Sequence, residues 1–382
     1  MRLNVRLPQV KPNTYKQPKE CPYGCGSTHY RAHGTKGERK AIRDLGHREV
    51  LCYRYECVRC GRTFRVYPEG VSAGAQQSKR LQGLTVMMYI LGLSYGAVED
   101  VTHALGCGVS KTTVYNNVQA AGVAARTKQQ RDVQEGGKRA VIGADSTYVK
   151  VQGESVGVQV VVDDQSGELL GLDIVISESY DEIIDVIKRV GEQVEAEVLM
   201  SDGHGAYNDV ADELGVEHGI CRSHAKRNVD RTAESLDKHL EHAEALPEGL
   251  ELSAEQARED LERMRQLIRE RPEDGEEQLA GMYDRYKDVP APPAGRRHSV
   301  WYRLRMMVTR LWERWREFTL DQRRDDLDGT NNAAERLIGW WIKERYRTMR
   351  GYKRAESIKN VVTLTARIGA CPTYYDMTEL VA

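Results

Sequence analysis

Over residues 139–152 the chain reads RAVIGADSTYVKVQ, and its apolar and small residues recur at every second position. That is the period of a β-strand, and it puts Val141, Gly143, Asp145, Thr147 and Val149 on one face. A strand of this kind needs partners to complete a sheet, a demand that restricts the fold more than any other feature of the chain. SVGVQVVVDDQSGELLGLDIVIS reads as two more antiparallel strands joined at residues 164–167. SYDEIIDVIKRVGEQ is an amphipathic helix, and AEVLMSDG is a short buried strand ending at Asp202. HGAYNDVADELG is a helix and VEHGICRSH one more strand. Three strands, helix, strand, helix, strand predicts a mixed sheet with helices packed on it, an α/β layer fold.

An acid on the small, apolar face of the first strand is costly unless something pairs with it, which singles out Asp145. Asp202 stands at a strand end before Gly203, where it also suits a cap for the next helix. Glu335 opens a later helix in GTNNAAERLIGWW, residues 329–341. There Asn332-x-x-Glu335 equally fits a capping box, with the acid bonded back to the cap's N–H. Three carboxylates converging from separate elements would suit a pair of Mg²⁺ or Mn²⁺ ions. Such a pair activates an attacking oxygen and stabilises a leaving one during in-line attack on phosphorus.

At the N-terminus CPYGCGSTHY and CVRCGRTF give Cys21-x3-Cys25 and Cys57-x2-Cys60. Two short-spaced thiolate pairs complete a tetrahedral site, so we expect a zinc ribbon with one structural Zn²⁺ on Cys21, Cys25, Cys57 and Cys60. Cys52 is the spare and reads as a core residue, while His29 and His33 are alternative ligands. The metal would fold a core too small to stand alone.

Residues 78–122 turn helical, with apolar residues three and four apart. A helix near 95–105 is broken by GCG, and Ser110 then caps a short helix KTTVYNNVQ. This reads as a helix-turn-helix whose Lys111, Thr112, Thr113, Tyr115 and Asn116 face DNA; an ordinary helical hairpin is the alternative.

Charge supports a polyanionic partner. Residues 1–138 carry 22 Lys/Arg against 10 Asp/Glu, residues 139–294 carry 16 against 36, and residues 295–382 carry 18 against 11. Basic ends around an acidic middle suit a chain that grips DNA at both ends; solvated faces are the plainer reading. RYRTMRGYKRAESIKN adds Arg347, Arg350 and Lys353 as phosphate contacts. No apolar run approaches the ~20 residues of a membrane span, and the first residues lack an apolar leader core. A cytoplasmic, nucleoid-associated protein is expected, with no membrane partner.

GADSTYVKV, LMSDGHGAY, CRSHAKRN and TNNAAERLIGWW, in this order, resemble a DDE transposase of prokaryotic insertion sequences. The similarity runs from about residue 140 to 369, and is to the subgroup with a helical insertion before the glutamate. It implies an RNase H-like mixed sheet interrupted by an all-α insertion and preceded by a zinc ribbon and a helix-turn-helix domain. The expected divisions are 1–70 (ribbon), 75–130 (helix-turn-helix), 138–224 and 329–370 (the two catalytic parts), 225–328 (insertion) and 371–382 (tail). It also implies that Asp145, Asp202 and Glu335 hold two Mg²⁺ (or Mn²⁺). The implied partners are terminal inverted repeats and target DNA, bound by at least a homodimer.

Cys221-x2-His224 resembles a Cys/His pair of hAT- and Mutator-like relatives. With Asn331 and Asn332 it is expected to support the active site, core packing being the alternative. A basic residue stands two helical turns after the glutamate in some DDE enzymes; here that position is Ile342, and Lys343 falls one residue late. Trp301, Trp312 and Trp315 read first as core of one long helix, SVWYRLRMMVTRLWERWREFTL, though the insertion of related enzymes can stack on a DNA end base. A non-catalytic DNA-binding regulator and a structure-selective nuclease are the rival functions.

Overall fold

The computed structural model describes residues 4–243, 250–349, 351–371 and 373–381. Near the N-terminus, β1 (Val5–Arg6) and β2 (Lys11–Tyr15) precede a small antiparallel sheet of β3 (Tyr30–Ala32), β4 (Glu38–Ala41), β5 (Glu49–Cys57) and β6 (Thr63–Val66). β5 is its centre and turns Val50 and Cys52 inward while Leu51 and Tyr53 face solvent. β7 (Pro68–Glu69) pairs with β2. The buried apolar cluster here is only Val10, Ile42, Val50 and Val71, too little to hold so small a module without a further tie.

Next in the chain are α1 (Lys79–Ile90), α2 (Tyr95–Ala104) and α3 (Lys111–Glu135). Each has a serine N-cap, Ser78, Ser94 and Ser110, whose side chain accepts a backbone N–H from the first turn. The short helix expected after Ser110 is 25 residues long. Nothing stops it before Gly136, and its alanine-rich middle packs on α13 (Ala355–Gly369). At Gly122 a Cβ would lie 2.5 Å from Asn360 Cβ, so glycine is needed for the two helices to approach this closely.

The principal sheet is β8 (Val141–Val151), β9 (Glu154–Asp163), β10 (Leu169–Val175), β11 (Val198–Ser201) and β12 (Glu217–Ile220), in spatial order β10–β9–β8–β11–β12. The first three strands are antiparallel, and β11 and β12 run parallel to β8. α4 (Tyr180–Gln193) and α5 (Gly205–Leu214) cover one face; α3, α13 and α11 (Asn332–Leu337) cover the other. Both faces are therefore buried, which explains the unbroken apolar runs of β9 and β11.

α6 (Arg222–Leu240) leads out of β12 into α7 (Ala254–Glu270), α8 (Gly275–Tyr286), α9 (Val300–Glu313) and α10 (Trp315–Phe318). These share a separate core around Leu236, Met264, Leu267 and Leu304. The single long helix expected after Ser299 breaks at Arg314 (φ −105°, ψ 15°), where the guanidinium turns toward the sheet. Trp301 and Trp315 are buried and Trp312 stacks on Tyr283 at 4.8 Å, so all three serve packing. After α11 come a π-helical turn (Ile338–Lys343), α12 (Glu344–Arg347), α13, and β13 (Tyr375–Asp376), which pairs with β1. No helix among the described residues is long and apolar enough to cross a membrane.

Candidate active site at the ends of three strands

β8 and β11 pair in parallel with Gly143 opposite Met200. Continuing that register by two residues brings Asp145 beside Asp202. β11 pairs with β12 with Ser201 opposite Ile220, and the Cys221 N–H donates to the Ser201 carbonyl at 2.8 Å. Asp145, Asp202 and Cys221 thus stand side by side on three neighbouring strands. The carboxyl ends of parallel strands are where open α/β sheets bind ligands.

Cys221 is also the N-cap of α6, which sets His224 one turn along that helix. Glu335 comes from α11, whose start is pinned to the sheet: Asn331 Nδ2 donates to the Ala144 carbonyl at 2.9 Å, next to Asp145. Arg222 N–H donates to the Gly329 carbonyl at 2.9 Å, tying the same loop to α6. Asn331 is wholly buried, and Asn332 is exposed as the first residue of α11. The cap of α11 is therefore Asn331, not Asn332, and it makes no side-chain capping bond. Glu335 is not folded back on its own helix; its Oε1 lies 3.2 Å from His224 Nδ1.

Of the three acids, Asp145 and Asp202 are neighbours, while Glu335 faces His224. The donor atoms of Cys221, His224 and Glu335 all lie within 4.8 Å of one another; those of Asp145, Asp202 and Glu335 do not form such a group. Glu335 is instead paired with the His224 imidazole. Burial pushes the Asp145 carboxyl up to about 7; the Ser146 N–H holds it down, and the charge of Asp202 raises it again. Burial raises the Cys221 thiol, but His224 and two backbone N–H groups outweigh it and leave it below its ordinary range. His224 is raised, chiefly by the Cys221 thiol beside it.

Several side chains at this site carry no signal of their own in the sequence. Gly203 N–H donates to Ser201 Oγ (3.1 Å), Ser201 Oγ lies 2.8 Å from His218 Nε2, and His218 Nδ1 lies 2.8 Å from Glu317. Arg314 donates to Glu317 and, at 2.9 Å, to the Gly203 carbonyl, which Arg310 also reaches at 2.7 Å. With the His218 proton on Nδ1, that N–H donates to Glu317 and Nε2 accepts from the Ser201 hydroxyl. The ring closes around the turn that carries Asp202, and Arg314 and Glu317 reach it from the junction of α9 and α10. A cleft of about 300 Å³ opens beside it, lined by Asp202, Asn228, Arg303, Met306 and Arg310 among others. Glu178, between β10 and α4, is a further acid near Asp202, and burial raises its carboxyl. Ser146 bonds to Gln159, which also accepts from the buried Tyr207 hydroxyl at 3.1 Å.

The winding after Glu335 also differs from expectation. The Glu344 N–H bonds to the Gly339 carbonyl, five residues back. That π-turn takes up one extra residue, about 100° of rotation. Ile342 goes into the core, and Lys343 is exposed.

In the N-terminal module Cys21 and Cys60 sulfurs are 3.8 Å apart and those of Cys25 and Cys57 3.5 Å. Thiolates at ~2.3 Å from a tetrahedral Zn²⁺ are separated by about 3.8 Å, so the donor set fits that ion. Gly24, Gly26 and Gly61 take positive φ at the two knuckles. Cys52 is buried in the sheet, and His29 and His33 are exposed outside the cluster. On α3, Lys111, Thr112 and Asn116 are exposed, Thr113 bonds to the capping Ser110, and Tyr115 packs edge-on to Tyr95 at 5.5 Å. Arg347 and Lys353 are exposed. Arg350 lies outside the described residues.

The family described as "Transposase IS66 family" matches residues 77–348. No curated protein matches the chain. Among solved structures, the HTLV-2 integrase catalytic core domain in complex with magnesium (trimeric form) is similar at 14% identity, covering 34% of this chain and 85% of that one. Its TM-score is 0.21, too low to bear on the fold.

Proposed function

The chain belongs to the IS66 family of transposases, and from that membership we propose that it cuts DNA at the ends of its element and joins the freed 3′ ends to target DNA. The observation that carries this is the register of β8 on β11, which sets two carboxylates side by side at a sheet end. Asp145, Asp202 and Glu335 would hold two Mg²⁺ or Mn²⁺ ions in an RNase H-like site. Bound there, the ions would supply charge stabilisation to the transferring phosphoryl group and activation of the attacking oxygen. The residues themselves position. Asn331 fixes the start of α11 against Asp145, and the ring around Gly203 fixes the turn of Asp202.

In the first step a water oxygen bonds to phosphorus as the bond to the 3′ oxygen breaks, and that oxygen leaves as a hydroxyl. In the second step the 3′-hydroxyl oxygen bonds to a target phosphorus and gives up its proton. As it does so, the target's own bond from phosphorus to its 3′ oxygen breaks, and that oxygen takes up a proton and leaves as a 3′-hydroxyl. No covalent protein–DNA bond is needed. Exposed Lys111, Thr112 and Asn116 at the start of α3 suit reading of terminal repeats, while Lys343, Arg347 and Lys353 suit phosphate contacts. A zinc ribbon over 1–70, a helix-turn-helix over 75–130 and a helical insertion dividing the catalytic domain complete the assignment. Synapsis of two ends calls for at least a dimer on DNA.

The test is direct. Purified protein with Mg²⁺ should nick a duplex carrying its own element's end, and Asp145→Asn should bind that duplex without cutting it. Cutting by the variant would remove Asp145 from the site; binding without cutting by the wild type would leave a DNA-binding regulator.

A further inference from the structure

His224 Nδ1 and Glu335 Oε1 are both inaccessible to solvent, and neither has a hydrogen-bond partner among the described residues. They nevertheless face each other at 3.2 Å. The two atoms pair by charge without the geometry of a hydrogen bond, and buried polar atoms so placed are costly; a cation bound by both would satisfy them. The Cys221 sulfur, on a residue with no solvent exposure, lies within 4.8 Å of a ring nitrogen of His224 and a carboxylate oxygen of Glu335.

We propose that Cys221, His224 and Glu335 form a second site for a soft divalent cation, Zn²⁺ in the first instance, separate from the four-thiol ribbon. Distance, ligand type and placement all favour it. Nitrogen and oxygen ligands at ~2.0–2.1 Å from a tetrahedral ion are about 3.3 Å apart, close to the separation found. Thiolate and imidazole select zinc over magnesium, whereas an all-carboxylate pocket does the reverse. Cys221 caps the N-terminus of α6, where the helix dipole favours the thiolate that a metal needs; its proton is released to solvent on binding. Three protein ligands leave the fourth position open. An ion seated here also holds one oxygen of Glu335 away from Asp145 and Asp202, so the site is inhibitory toward the Mg²⁺ reaction.

The experiment needs neither DNA nor Mg²⁺. The purified full chain is equilibrated with Zn²⁺, freed of loose ion by dialysis, and its metal content measured. We expect two zinc ions per wild-type chain. Cys221→Ser and His224→Ala should each hold one, since both keep the four ribbon thiols. Glu335→Gln should weaken the second ion by at least about tenfold, the loss expected even for an outer partner. With Co²⁺ in place of Zn²⁺, thiolate charge-transfer absorption should fall by about a fifth in Cys221→Ser, from five cobalt–sulfur bonds to four. A single zinc in the wild type, or content and spectrum unaltered in both variants, overturns the proposal. Should Cys221→Ser unfold, the wild-type stoichiometry and His224→Ala still decide it. Asp145→Asn should keep both ions, so a failure of the cleavage reading and a failure of this one are told apart.

Discussion

Arg314 Nη1 donates to the Gly203 carbonyl at 2.9 Å, so a residue at the break between α9 and α10 holds the turn that carries Asp202. The same guanidinium donates to Glu317, which faces His218 and through it Ser201. A lysine keeps the charge but cannot serve two acceptors in one plane. Arg314→Lys should therefore lower cleavage about tenfold or more and raise the Mg²⁺ concentration needed for half-maximal rate. It should cost about 1–3 kcal/mol in unfolding free energy, the range for a buried acceptor left without its donor. A Mg²⁺ titration of cleavage alongside chemical denaturation measures both. Lost stability with unaltered metal dependence would reduce the ring to packing.

Asp145 carries a second prediction, with its sign fixed by burial. Its carboxyl titrates at about 7 in the folded chain, raised first by desolvation. The unfolded chain releases that proton near pH 4. Between those values the folded state binds more protons than the unfolded one, so this group's contribution to stability falls as pH rises from about 4 to 7. Asp145→Asn should accordingly raise the melting temperature at pH 8 while abolishing cleavage. In the wild type, protons compete with the cation below pH 7, and the Mg²⁺ requirement should climb as pH falls. A melting temperature at pH 8 below that of the wild type would contradict the assignment.

Gly143 is a third point of test. A Cβ there would lie 2.6 Å from Asn331 Oδ1 and 3.2 Å from both Asp164 Oδ1 and Val162 Cγ2. Asn331 cannot move freely, since it is wholly buried and bonded to Ala144. Gly143→Ala should destabilise by about 1–3 kcal/mol. It should also displace the start of α11, and with it Glu335, so cleavage should fall by more than the stability loss explains. Comparing activity well below the melting temperature with the unfolding free energy separates the two effects.

The strand order is legible in the sequence because β8, β9 and β11 announce themselves by period and apolar run, and Asp145 because an acid interrupts one of those patterns. The clustering of Cys21, Cys25, Cys57 and Cys60 is legible from spacing alone. The environment of Glu335 is not. Asn332-x-x-Glu335 fits a capping box equally well, and only tertiary contact sets His224 opposite the acid instead. Arg310, Arg314, His218 and Glu317 are invisible for the same reason: their partners are as much as 111 residues away, and nothing local distinguishes them from solvated charges. The π-turn after Glu335 has no propensity signature, since it reflects how Ile338 and Ile342 reach one core. α3 reads too short from sequence because a turn-helix pattern fixes where a helix starts, whereas its end depends here on a bed supplied by α13.

The junction between the N-terminal module and α1 gives a last prediction. The Asp44 side chain is fully buried; it accepts from Ser78 Oγ at 2.5 Å, from Gly46 N–H at 2.8 Å, and from Arg80 through both oxygens. Burial alone would raise its carboxyl, but Arg80, Ser78 and Gly46 together bring it down to about 2. Its unfolded value is near 4, so the stabilisation it provides is complete above pH 4 and is lost as pH falls through 2. Asp44→Asn keeps the shape and loses the charge opposite Arg80. It should be less stable than wild type by about 2–3 kcal/mol at pH 7, somewhat under the cost of breaking a wholly buried pair because Arg80 is partly exposed. The gap should close on acidification and vanish near pH 2. Denaturant unfolding of both proteins from pH 7 to pH 2 measures it, and a difference that stays constant with pH would show that Asp44 acts as a hydrogen-bond acceptor alone.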